Sequence, residues 1–157
     1  MRLKEQYLSL QLPGEPEKRR IAFVEEGNGY PLVFIHGLMS SYLPWSEKVF
    51  PEFEGAGRLI ALDLPGFGHS DPLSQELTVV RCVETVKAFL DALGVERPVL
   101  VGNSLGGTIV LLFASLFPER VSAVVAQGPV YRGEDFPAYQ RRLIESSRAW
   151  FGWSKQA

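Results

Sequence analysis

The chain of 157 residues is short of the residues that build several kinds of site. One cysteine, Cys82, leaves no internal disulfide framework and fits a reducing compartment. Its place inside a helical pattern marks it as a buried thiol rather than a nucleophile. Two histidines, His36 and His69, with a lone cysteine and no ligand spacing offer no metal site, and no cofactor is expected. Charge of one sign is also missing. The formal net charge is −2, and no basic run interleaved with aromatics is present, so a nucleic-acid partner has no support. The longest apolar run, Ile109 to Phe117 with Ser115 inside it, is too short to span a bilayer. The first residues, Met1-Arg2-Leu3-Lys4-Glu5-Gln6, lack the apolar centre of a signal peptide. A soluble, cytoplasmic chain is expected. With 46% apolar residues it has material for a real core in one domain.

What is present reads as alternating strands and helices. Leu8, Leu10 and Leu12 alternate with polar residues, predicting a half-buried strand over 7–12. Pro13-Gly14-Glu15-Pro16 turns the chain, and Ile21 to Val24 begins the return strand of a hairpin. After the Gly27-Asn28-Gly29 turn, the continuous apolar run Pro31 to Ile35 is the kind of strand whose two faces are both covered. It ends in His36-Gly37-Leu38. A short helical stretch follows around Trp45 to Phe53, then a strand over Arg58 to Leu62 that closes on the glycine loop Asp63 to Asp71. Thr78 is placed to cap a helix in which Val79, Val83, Val86, Leu90 and Leu93 share a face, and Gly94 to stop it. A second helix runs from about Leu105 to Phe117, with Pro118 beyond it, and Ser122 to Ala126 reads as a further buried strand. The expected class is α/β: three layers, with a mostly parallel sheet of about six strands and helices on both faces.

The stretch Val99-Leu100-Val101-Gly102-Asn103-Ser104-Leu105-Gly106-Gly107 organises the rest. A β-branched strand leads into a serine flanked by glycines two residues away on either side, and a helix starts at once. With 15 glycines in the chain, a G-x-S-x-G string alone says little. Between a strand and a helix it is the nucleophile elbow. The serine must take an unfavourable backbone conformation to lift its hydroxyl clear of the sheet. Gly102 and Gly106 keep side chains away where strand and helix nearly touch, and helix N-terminal N–H groups face any oxygen on which charge develops beside Ser104.

Three landmarks in register, His36-Gly37, the loop Asp63 to Asp71 and the elbow Gly102 to Gly107, resemble the α/β-hydrolase superfamily over roughly residues 6 to 130. The resemblance implies Ser104 as nucleophile and the backbone N–H groups of Leu38 and Leu105 as the oxyanion hole, with Gly102, Asn103 and Gly106 shaping the elbow. Dehalogenases and epoxide hydrolases of that superfamily place aspartate at the apex. A serine there implies acyl transfer through an acyl-enzyme, on a small-molecule ester, thioester, amide or carbon–carbon substrate. The Gly-Asn-Ser-Leu-Gly-Gly wording is similar both to carbon–carbon hydrolases of ring-opened diketones and to plain esterases.

One departure stands out. In such enzymes the order is serine, then acid, then histidine, and no histidine follows Ser104 here. His36 and His69 fall at positions that the resemblance marks as scaffold. The chain therefore reads as the first part of a hydrolase, a core over 1–130 and the start of a cap or lid over 131–157, shortened by truncation, frameshift, a split gene or incomplete sequencing. Leu143, Ile144, Ser147, Trp150 and Phe151 form an apolar stripe under Arg141, Arg142 and Arg148. It suits a cap, a helix packed on the core or, less well, a membrane surface. An open edge at the last strand would invite self-association. The rival from another class is a non-catalytic binding or regulatory module on the same fold.

Overall fold

A computed structural model of the chain describes residues 3–130. Six strands form one sheet: β1 (Gln6–Leu10), β2 (Arg19–Glu26), β3 (Pro31–Ile35), β4 (Arg58–Leu62), β5 (Val99–Asn103) and β6 (Ala123–Gln127). They lie in the order β1-β2-β4-β3-β5-β6. β1 and β4 pair antiparallel with β2, and every other pairing is parallel. The apolar runs expected over Pro31–Ile35 and Arg58–Leu62 fall on β3 and β4 residue for residue. They lie side by side in the middle of the sheet, where both faces are covered.

The faces are covered unequally. Helices α1 (Val79–Leu93) and α2 (Leu105–Leu116) pack on one side, where Ile21, Val33, Ile35, Ile60, Leu62 and Leu100 of the sheet meet Val83, Val86, Phe89, Leu90, Ile109 and Phe113. The opposite face carries Val24, Phe34, Leu59 and Ala61 under Tyr42 and Phe50. The helical stretch expected around Trp45 to Phe53 is a π turn over Trp45–Val49 running into a 3-10 turn over Phe50–Phe53. Pro51 has no N–H to continue an α-helical ladder. The ring of Phe34 holds this cover, with Trp45 at 5.3 Å and Phe50 at 5.2 Å.

Local signals set the ends of α1. The Thr78 hydroxyl accepts a hydrogen bond from the Arg81 N–H, and Gly94 turns left-handed at φ 68°. Cys82 is buried in this helix, and burial pushes its thiol up to about 12. Two expectations need correction. The first strand ends at Leu10, while Leu12 is buried from the turn that follows. The strand expected over Ser122 to Ala126 is β6, and it is partly buried on one face and exposed on the other. Val124 and Ala126 pack on the helix side, whereas Ala123, Val125 and Gln127 are exposed, Val125 to 54%. Among the described residues β6 has a neighbour on one side only. The apolar stripe of 143–151 lies outside the described residues.

Candidate active site

Ser104 sits between β5 and α2 at φ 54° and ψ −117°. It is one of two described non-glycine residues with positive φ, the other being Met39. This region is open to glycine and costs an L-residue of order 1–3 kcal/mol. The surroundings hold it there. Its N–H donates to the Gln127 carbonyl at 2.8 Å, and its carbonyl accepts from the Thr108 N–H at 3.1 Å. A methyl on Gly102 would collide with the Gly106 carbonyl, and one on Gly106 would collide with the Ile35 carbonyl and stand 2.7 Å from that of His36. Strand, turn and helix are thus closer than any side chain permits. Ser104 is half-buried and the side chain of Asn103 is exposed, so the apex faces the carboxyl edge of the sheet.

The loop after β3 comes to the same point. A methyl on Gly37 would lie 3.2 Å from the Ser104 Cβ and 3.2 Å from the Asn103 carbonyl oxygen. Leu38 follows with its side chain 65% exposed, which fits a residue whose contribution is its backbone. Leu105 opens α2, and the first N–H groups of a helix have no partner within it. The loop carrying Leu38 and the helix start carrying Leu105 therefore flank one serine.

His36 locks that loop. Its Nε2 accepts from the Leu64 N–H at 2.9 Å, which leaves the proton of a neutral ring on Nδ1, 2.6 Å from the Gly37 carbonyl that it donates to. Burial holds its pKa below the ordinary histidine value, although the Gly37 carbonyl and the Asp63 charge pull the other way. Both nitrogens are committed, so His36 is no base for Ser104. His69 lies elsewhere. Its N–H donates to Asp63 Oδ2 at 2.8 Å, and its ring Nδ1 is 2.6 Å from Glu5 Oε2. It follows β4, two strand spacings (about 10 Å) from β5, and it turns toward the N-terminal segment. His36 thus bonds to Gly37 and Leu64, and His69 to Glu5.

The glycine loop after β4 is held by side chains. Buried Asp63 accepts from the N–H groups of Tyr42 at 2.7 Å and His69 at 2.8 Å. Burial raises its pKa against those bonds. Ser70 donates to the Asp63 carbonyl at 2.7 Å and accepts from the Ala22 N–H at 2.9 Å. Glu5 gathers Tyr7, Tyr42 and His69. Burial works to raise its pKa, but the bonds from His69, Tyr42 and Tyr7 outweigh it and bring it from 4.5 to about 2. The Gln127 carbonyl on the Ser104 N–H had no signal in the sequence, because a main-chain acceptor carries no side-chain identity. Among the described residues no group of three or more His, Cys, Asp or Glu could hold a metal ion, and no helix is long and apolar enough to cross a membrane.

A family model described as alpha/beta hydrolase fold matches residues 30–152. The chain is 39% identical over 116 residues to a haloalkane dehalogenase of Agrobacterium fabrum, covering 74% of this chain and 38% of that protein. It is 39% identical over 116 residues to a 2-hydroxymuconate semialdehyde hydrolase of Pseudomonas sp. strain CF600, covering 72% of this chain and 40% of that one. Among solved structures, a thermophilic esterase from Thermogutta terrifontis superimposes with a TM-score of 0.70 at 26% identity, over 76% of this chain and 44% of the esterase. The chain spans about two-fifths of the length of the curated relatives it matches.

Proposed function

The chain belongs to the alpha/beta hydrolase fold family, and within it we propose that these residues carry the nucleophile half of a serine hydrolase. One observation supports this above the others: the only described non-glycine residue with positive φ besides Met39 is the serine at the strand-to-helix corner, against which Gly37 packs. Ser104 Oγ attacks the carbonyl of an ester, thioester, amide or carbon–carbon acyl substrate. The oxygen of the tetrahedral intermediate is received by the N–H groups of Leu38 and Leu105, each worth about 3 kcal/mol of transition-state stabilisation. Breakdown breaks the bond from the acyl carbon to the alcohol, thiol, amine or carbon leaving group, which departs with the proton given up by Ser104, and leaves the acyl group on Ser104. Serine rather than aspartate at the apex favours this acyl chemistry over the halide displacement named for the Agrobacterium relative.

A serine hydroxyl needs a base. With His36 committed at both nitrogens and His69 turned toward Glu5, we assign the base and its acid partner to the part of the relatives' length that these 157 residues do not span. On this proposal 1–130 is the core and 131–157 the start of a cap. The substrate is a small molecule, and a single cysteine suits the reducing cytoplasm.

The chain as it stands should acylate slowly and deacylate slowly. Treated with p-nitrophenyl acetate in mildly alkaline buffer, it should gain one acetyl group, mapped by mass spectrometry to Ser104 and absent in Ser104→Ala. Acetylation that ignores the substitution would overturn the proposal. Fast turnover lost in Ser104→Ala would show that a base is present after all. Ligand binding without any acylation would favour the non-catalytic module.

A further inference from the structure

The two α-helices carry three hydroxyl side chains, and they use them differently. Thr85 donates to the Arg81 carbonyl at 2.8 Å and Ser115 to the Leu111 carbonyl at 2.9 Å. Both are ordinary bonds back to the carbonyl four residues earlier. Thr108, four residues past Ser104, is 2% exposed in the run Gly106–Phe113, where every other buried residue is apolar or glycine. Its back-bond to the Ser104 carbonyl is stretched to 3.5 Å, while its Oγ1 donates at 2.6 Å to the carbonyl of Val130. A hydroxyl has one proton to give, and the distances assign it to Val130.

That bond fastens the exit of β6 to the first turn of the elbow helix. The exit begins at Gln127, whose carbonyl holds the Ser104 N–H at 2.8 Å. It passes Gly128 at φ 51° and Pro129, whose Cα would stand 3.3 Å from a methyl on Gly107. It reaches Val130 with that side chain 68% exposed. Gly128 and Val130 bring little packing of their own, and β6 is paired on one side only among the described residues. We infer that Thr108 is a positioning residue for Ser104: by holding Val130 it keeps the Gln127 carbonyl on the Ser104 N–H and so maintains the strained backbone of the apex. The inference rests on the reading of Ser104 as nucleophile.

The test uses the 157-residue chain. Thr108→Val deletes the hydroxyl at nearly constant volume, Thr108→Cys keeps a weak donor, and Thr108→Ser restores a strong one. Two readouts are taken: hydrogen exchange of the Ser104 amide and the rate of Ser104 acetylation. In Thr108→Val the Ser104 amide should exchange about tenfold faster, as loss of one buried hydrogen bond implies, while amides in β3 and β4 keep their protection. Acetylation should slow by a similar factor, Thr108→Cys should fall between, and Thr108→Ser should recover both. Unchanged Ser104 exchange in Thr108→Val, or a Thr108→Ser variant that behaves like it, overturns the inference. So does protection lost evenly across the sheet in both Thr108→Val and Thr108→Cys. If the wild type never acetylates Ser104 but Thr108→Val still frees its amide, the nucleophile reading fails and the fastening of β6 survives.

Discussion

The elbow after β5 and the glycine loop after β4 stand at the same edge of the sheet and are built by opposite means. In the elbow, main chain meets main chain, with the Thr108 hydroxyl as the one side chain drawn into the fastening. Gly102 and Gly106 let carbonyls come within reach that any Cβ would block, and Ser104 is held by the Gln127 carbonyl. In the glycine loop, side chains do the holding: Asp63 binds two N–H groups, Ser70 ties β2 to Asp63, and His36 and Glu5 reach in from outside. A corner made of backbone contacts has nothing to titrate and no tolerance for added atoms. A loop made of polar side chains is no more open, since a methyl on Gly68 would collide with the Asp63 carboxylate, but it carries its pKa values with it.

The largest test of this contrast is Gly106→Ala. The new methyl meets the Ile35 and His36 carbonyls, which belong to the central strand and its turn and have no room to retreat. A loss of about 3 kcal/mol or more is expected in denaturant unfolding. A mild effect would mean that α2 can move away from the Ile35 and His36 carbonyls at little cost.

Next in size is an acid effect confined to the glycine loop. The folded-state pKa of Glu5 is depressed from 4.5 to about 2, so its stabilisation is present above 4.5 and disappears as pH falls toward 2. Glu5→Gln should be less stable than wild type near neutral pH, and the gap should close across that window. Asp63, whose pKa is raised, acts with the opposite sign, but it is common to both proteins and cancels in their difference. A gap independent of pH in paired denaturant titrations would remove Glu5 from the account.

The smallest effect has the reverse direction. Ser104→Gly places at φ 54° and ψ −117° a residue that accepts that conformation. Relief of strain, less the entropy glycine adds to the unfolded chain, should leave a gain of about 1 kcal/mol, together with loss of Ser104 acetylation. An equal or lower melting temperature would show that the corner is not strained.

The sequence by itself determined the order of elements, the positions of β3 and β4, the cap and stop of α1 and the glycine corner around Ser104. These follow from signals within a few residues: apolar continuity, a capping hydroxyl, a glycine where two backbones cross. Only the tertiary structure decided which groups 22 to 64 residues apart would find one another. Nothing near Glu5 announces His69, nothing near His36 announces Leu64, and nothing near Thr108 announces the Val130 carbonyl. Each partner is a single polar atom, often on the main chain, and a buried polar atom takes whichever partner the packed sheet brings within about 3 Å. The unequal cover of the two faces belongs to the same class. Apolar alternation says that a face must be buried, but not by what, and β6, read as a buried strand, keeps one face exposed because neighbours and not composition decide burial.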